Sequence, residues 1–269
     1  MVKATFMCGQ SNLTNTIQCK EGNQVTQKRY IPWITYLNLA ICVLVYAIEA
    51  YLSHNLTINS NVILHMGAEI SRGKGGSLGQ FIGSNLFNWQ NWCATWLHFS
   101  FMHIAENMIF LLLVGTMIEK FYGHLRFLLL YVLTGFLGNV TQATLQPHSV
   151  SAGASTALFG IMIAGYVLKH TMKSVQGVNM VTYQISNQLI GLFVLNIILD
   201  IGQNNPAAST QIAILGHLGG ALAGLLLGYA LRPRLYGPNG KQLMRTNIWV
   251  ECGITIAMLG LLLTLVYYI

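Results

Sequence analysis

Residues 216–228 read GHLGGALAGLLLG, with a glycine at 216, 220, 224 and 228, one histidine and no charge. A period of four lines the glycines along one helix face. In a membrane, such a ridge of small residues lets two helix backbones approach closely. At 100° per residue, Gly224 and Gly228 fall within about 20° of His217 around the axis. The histidine therefore sits on the face that presses against a neighbour. Apolar sequence extends to 212–231, about the 20 residues that cross a bilayer.

Six further stretches of this kind surround it, at roughly 31–51, 100–118, 127–145, 152–168, 185–201 and 248–269. The chain is 54% hydrophobic and 8% charged, against about 25% charged for soluble domains. We expect an all-α polytopic membrane protein with seven helices. The first stretch is too long, and lacks the small-residue cleavage site, to be a signal peptide. With the N-terminus inside, twelve of the fourteen Lys and Arg fall in cytoplasmic segments, leaving only Arg72 and Lys74 outside. The positive-inside rule thus orients the chain N-terminus in and C-terminus out. The net charge of +7 suits an anionic lipid leaflet. Because the charges are divided among loops, nucleic acid is the poorer explanation and none is expected as a partner.

Between the helices lie a polar tail (1–30), a long outer loop (52–99) and a cytoplasmic linker leading to the seventh helix (232–269). A loop of that length usually has structure or function of its own. Its RGKGGSLGQ is Gly-rich but lacks the phosphate-loop spacing and reads as a flexible loop. Cys8 and Cys19 lie in the tail, Cys42 and Cys252 in helices, and Cys93 in the loop. Without a CxxC, neither a metal site nor a cofactor is expected.

On this topology the second, fourth and sixth helices run in the same direction, so their N-terminal ends share one depth. Those ends carry His103 and Asn107, Ser155, and His217. His103 and Asn107 are four apart and share a face. Each residue alone has a plainer reading. A serine at a helix start is usually a cap, a lone membrane histidine a packing or ion-pathway group, and a glycine ridge simply packing. His54, His65, His124, His148 and His170 are read as solvated. Together the four polar residues suggest chemistry. A serine becomes a nucleophile when a base takes its proton, which an imidazole does near neutral pH. The oxyanion then needs donors, and the Ser155 N–H, His103 and Asn107 can supply them. Gly153 and Ala154 leave the Ser155 hydroxyl uncrowded. Asp200, the single Asp, reads as an interfacial charge or cap, so a Ser–His dyad is preferred. Two rivals are a transporter with His103, Glu106 and His217 as a proton relay, and an inactive protein that binds membrane helices. No pair of helices is broken at matched midplane positions, which argues against the first, and the intact Ser–His pair argues against the second.

The segments GASTALFG (153–160), HFSFMHIAENM (98–108) and GHLGGALAG (216–224), with EKFYGHLRF (119–127), resemble the signatures of the rhomboid family of intramembrane serine proteases. The resemblance covers about residues 31–231. It implies a six-helix rhomboid-like core with a water-filled cavity opening outward, and the seventh helix resembles the six-plus-one arrangement of part of the family. It implies Ser155 as nucleophile, His217 as general base, an oxyanion hole lined by His103 and Asn107, and a structural His98. The substrates implied are single-span membrane proteins cut near the outer juxtamembrane region, with the fifth helix and its Asn196 as a gate. Three positions depart from the pattern. Trp92-Cys93 stands where many members have Trp-Arg. Phe159 stands where some have Tyr, so it can stack on the histidine but not hydrogen-bond. Glu106 stands where an apolar residue is expected. The N-terminus is not transit-like, so the expected location is a cell membrane, a bacterial plasma membrane in particular. The sequence sets no oligomeric state.

Overall fold

Small residues decide which helices meet in this chain. In the computed structural model the described residues are 7–10, 16–21, 24–70, 76–146, 150–173, 213–234 and 247–269, with single positions at 188, 191, 194, 195 and 198. The tail forms a three-stranded antiparallel sheet of β1 (Met7–Gln10), β2 (Thr16–Glu21) and β3 (Gln24–Arg29). Then follow α1 (Trp33–Ser53), α2 (Ser60–His65), β4 (Glu69–Ile70), α3 (Leu78–Leu86) and α4 (Trp89–Cys93). Next, α5 (Phe101–Phe110) passes through a π-helical turn (Leu111–Gly115) into α6 (Thr116–Tyr122). The chain continues with α7 (His124–Leu145), β5 (Val150–Ser151), α8 (Ser155–Lys173), α9 (Ile214–Leu231) and α10 (Ile248–Tyr268).

Among the described residues, five helices are long and apolar enough to cross a membrane: α1, the α5–α6 stack, α7, α9 and α10. The chain is a multi-pass membrane protein. The expected fourth helix, α8, is not among these five. Its Ser, Thr, Ala and Gly residues are buried on nearly every side, so it faces protein nearly all round, as α7 does over most of its length. The expected fifth helix, with Asn196 and Asp200, lies almost entirely outside the described residues.

Helix α9 packs most extensively on α8 and α7, and glycine makes this possible. Added to Gly220, a Cβ would collide with the Thr156 carbonyl oxygen, and added to Gly224 with that of Gly160. On the α7 side, Gly138 lies against the Gly216 carbonyl and Gly219 against Thr141. The first turn of α9 is held by Gln142 of α7, whose Oε1 accepts the Gly216 N–H at 2.9 Å.

At the opposite end of the bundle, Glu119 caps α1. Its carboxylate accepts the Ile34 and Thr35 N–H groups at 3.0 and 2.7 Å and the Thr35 hydroxyl at 2.6 Å. A negative charge there satisfies orphan donors and complements the helix dipole. His124, read from sequence as solvated, is exposed and also pairs through Nδ1 with Glu119 and stacks on Tyr30 at 5.2 Å.

The polar tail lacks an apolar period yet carries strands: β1 pairs with β2 and β2 with β3, Glu21 opposite Gln24. Only Gly22 and Asn23 lie between those partners, a dipeptide that favours a two-residue hairpin. The 52–99 loop has structure, as its length implies: Ser77, within the RGKGGSLGQ read as flexible, caps α3, and β4 pairs with β5 next to Ser155. Among the described residues, the loop is anchored through amide side chains and an aromatic stack. Gln90 Nε2 donates to the Ala68 carbonyl at 3.1 Å, and Asn139 Nδ2 of α7 donates to the Asn91 carbonyl at 3.0 Å. Trp92 stacks on Phe136 at 4.0 Å.

The last helix is fastened at both ends. Arg126 Nε of α7 donates to Glu251 Oε2 at 2.6 Å, both side chains being buried. At the Ser155 end, the Tyr267 hydroxyl donates to the Gly76 carbonyl and its ring packs on Phe81 of α3. Arg126→Met strands a buried carboxylate, which costs about 3–5 kcal/mol. The thermal midpoint in detergent should then fall by on the order of 10 °C, and Arg126→Met/Glu251→Leu should restore most of it. An unchanged midpoint in the single variant would show that α10 is held by apolar packing alone.

Candidate active site

Ser155 opens α8. Because it is the first helical residue, its N–H has no partner one turn earlier within the helix. The Ala154 carbonyl accepts from Leu158 N–H at 3.0 Å, which places Ala154 at the cap. Before it, Gly153 has φ +135°, a conformation that L side chains rarely adopt. A Cβ there would also meet His103 Cε1 at 2.7 Å and Nε2 at 2.8 Å. The Gly153 N–H donates to the Ala94 carbonyl at 2.9 Å, tying the turn before Ser155 to the loop.

His217 reaches Ser155 from the first turn of α9. Its Nε2 lies 2.8 Å from the Ser155 Oγ. The ring stacks face to face on Phe159 of α8, centroids 4.3 Å apart and planes inclined by 9°. Phe159 is one turn after Ser155, so the same helix face that offers the hydroxyl also fixes the imidazole plane. The closeness of α8 and α9 at Gly220 and Gly224 makes this geometry reachable.

From the other side comes α5. Ser100 caps it, accepting the His103 N–H at 3.3 Å, and His103 and Asn107 both face Gly153. Asn107 is 6% exposed, and its buried Nδ2 has no hydrogen-bond partner. A buried donor left open requires an explanation, and an anion that forms only during a reaction is one. The structure therefore brings Ser155, His217, His103 and Asn107 together around Gly153, with Phe159 beneath the imidazole.

His98 lies behind His103, their rings 5.2 Å apart and edge to face. It is fully buried, with no partner on either ring nitrogen. Burial, and next His103, push its pKa down to about 3, which favours the neutral imidazole. Sequence reasoning passed over Glu49 of α1, whose Oε2 accepts the His98 N–H at 3.2 Å, and also Gln142. Both are polar residues within apolar segments, which was the available signal. Glu106, in contrast, is exposed and makes no hydrogen bond or ion pair. It forms no chain of hydrogen bonds with His103 and His217, as a relay would need. Among the described residues no group of three or more His, Cys, Asp or Glu could hold a metal ion.

Comparison with known proteins agrees with this arrangement. Residues 87–234 match the family description "Rhomboid domain". The chain is 28% identical over 204 residues to Rhomboid-like protease 3 of Toxoplasma gondii, covering 76% of this chain and 69% of that protein. It is 31% identical to Rhomboid protease GluP of Bacillus subtilis, over 61% of this chain and 30% of the relative. To RHOMBOID-like protein 6, mitochondrial, of Arabidopsis thaliana it is 32% identical, over 53% and 43%. The chain thus spans less than half the length of the latter two. These relatives are bacterial and eukaryotic, one named mitochondrial, so they lend no support to the expected bacterial plasma membrane. The matched region runs from before α4 to beyond α9 and contains each of the residues gathered around Gly153, as well as the glycine face that joins α9 to α8. On that match the chain belongs to the rhomboid family.

Proposed function

We propose that the protein is an intramembrane serine endopeptidase acting on single-span membrane proteins. It cuts near the outer side of their transmembrane segment, with Ser155 and His217 as the catalytic pair. The observation that carries this reading is the 2.8 Å approach of His217 Nε2 to Ser155 Oγ across 62 residues of sequence. With Nε2 unprotonated, the imidazole accepts the hydroxyl proton as Oγ attacks the scissile carbonyl. The same proton then passes to the leaving amine, giving an acyl-enzyme that water hydrolyses with His217 again as base. Negative charge on the tetrahedral oxygen falls to the Ser155 N–H, Asn107 Nδ2 and His103. Phe159 holds the imidazole plane by stacking on it. Residues 31–231 form the protease core on this reading, with 232–269 an accessory linker and helix. The distribution of Lys and Arg supports an N-terminus inside and a site opening outward.

The test uses the purified full chain in proteoliposomes with a designed single-span substrate. We expect a fluorophosphonate to label Ser155, and mass spectrometry to place the cut at the outer end of the substrate helix. Labelling of a different serine, or a cut at the cytoplasmic flank, would overturn the reading.

A second expectation concerns the oxyanion donors. His103→Ala and Asn107→Ala should each lower turnover by about 10²–10³-fold while Ser155 remains reactive to the probe. Steady-state kinetics decide this. If only KM moves and kcat is intact, these side chains bind substrate rather than the transition state.

A further inference from the structure

The chain has seven carboxylates: Glu21, Glu49, Glu69, Glu106, Glu119, Asp200 and Glu251. Four of them are buried, and each accepts a hydrogen bond. Glu49 bonds the His98 N–H, Glu69 the Asn88 side chain at 3.5 Å, Glu119 the first turn of α1, and Glu251 Arg126. Asp200 and the Glu21 side chain lie outside the described residues. Among the described side chains, Glu106 is the one carboxylate that is exposed and makes no hydrogen bond or ion pair.

Its position gives this meaning. Glu106 lies about 8 Å along α5 from Phe101, at 1.5 Å per residue, within a span apolar enough to cross the membrane. Asn107 follows it directly, so Glu106 shares the depth of the residues around Gly153. Around the helix axis it stands about 60° from His103, away from Asn107, at 100° per residue. On that side it joins Met102 and Ile109, both exposed, in a strip bordering the face that lines the site. A lone carboxylate at membrane depth is costly, and such groups pair with a charge or mark a functional site.

We propose that Glu106 is a specificity residue that binds a Lys or Arg side chain near the outer end of the substrate's transmembrane segment. This rests on the protease reading above. A substrate helix approaching Ser155 along this side of α5 lays apolar residues on Met102 and Ile109. A basic side chain on it then meets the carboxylate in a poorly hydrated setting, where a charge-assisted hydrogen bond is stronger than in water. Lys and Arg concentrate at the cytoplasmic ends of membrane helices, so a preference at the outer end singles out a minority of spans. That discriminates among otherwise similar apolar segments.

The experiment places Lys or Gln, one position at a time, through the two helical turns on either side of the scissile bond of a single-span substrate. Cleavage is measured in proteoliposomes by the full-length protein. At one or two neighbouring positions, Lys should raise kcat/KM over Gln by on the order of tenfold. Glu106→Gln should bring that ratio to one, and Glu106→Lys should shift preference to a substrate carrying Glu at the same place. A Lys-to-Gln ratio unaltered by Glu106→Gln, or no position at which Lys is preferred, would overturn the proposal. A parallel measurement needs no turnover: affinity of the Ser155→Ala protein for the same labelled substrates, with and without Glu106→Gln. If the wild type cleaves nothing, the protease reading fails, and the affinity ratio alone then upholds or refutes the role of Glu106.

Discussion

Ser155→Ala and His217→Ala should each reduce cleavage by on the order of 10⁴-fold or more, and Ser155→Ala/His217→Ala should be no worse than the more damaging single change. On the proposed reading the two side chains, 2.8 Å apart, act on one proton as nucleophile and base, so removing either removes the same step. What remains is the contribution of binding and of the donors on α5, which neither substitution touches. The two variants differ in stability, which gives a control. Ser155→Ala deletes one hydroxyl at a helix start, and its thermal midpoint in detergent should stay near that of the wild type. His217→Ala also removes the ring stacked on Phe159, so some loss of stability accompanies it and rates must be set against the folded fraction. Fluorophosphonate labelling should vanish in Ser155→Ala and slow sharply in His217→Ala. A double variant far below either single one would mean the two side chains act in separate steps, and the proposed pair would be wrong.

Much of this architecture is legible in sequence because a bilayer tolerates few solutions. Backbone polar groups must be satisfied within each span, so apolar stretches near the right length read directly as helices. The glycine period in 216–228 was equally readable, and with it the face of α9 that carries His217. Less accessible was everything fixed by contacts distant in sequence. Asn139 and Gln142 are polar residues in an apolar helix, and their cost signalled a role. Their partners, however, are Thr95, Asn91 and Gly216, 44 to 74 residues away. The burial of α8 was hidden for a related reason. Hydropathy averages over a helix and does not distinguish small residues facing protein from small residues facing lipid. The tail sheet was missed because its strands lack an apolar face, the feature by which a strand is usually recognised. Glu106 shows the opposite case. Its spacing from His103 already placed it beside the site face rather than on it, and only the exposure and the absence of a partner add to that.

Gly220→Val and Gly224→Val should lower activity by on the order of 10²-fold or more, well beyond what their effect on stability explains. The reason lies in what each residue touches. An added Cβ would collide with the carbonyl oxygen of Thr156 in one case and of Gly160 in the other. Both are backbone atoms of α8 and cannot rotate away as a side chain would. To bring these contacts back to near 3.5 Å, the helices must part by more than about 1 Å. Overpacking of this kind costs about 1–3 kcal/mol, yet valine suits lipid, so insertion should persist. The same displacement draws His217 away from Ser155, and a positioned reaction is far more sensitive to 1 Å than folding is. Gly228 provides the comparison. Its neighbours are the Val167 side chain at 3.1 Å and the Tyr122 hydroxyl at 3.3 Å, groups that can adjust, and it lies three turns from His217. Gly228→Val should therefore lose stability to a similar extent but keep more of its activity. The measurement is cleavage rate against thermal midpoint for all three variants in one detergent. If 220 and 224 follow the same relation as 228, the ridge serves stability alone. Undiminished activity at both would break the connection drawn from the glycine face, through the meeting of α8 and α9, to the chemistry of Ser155.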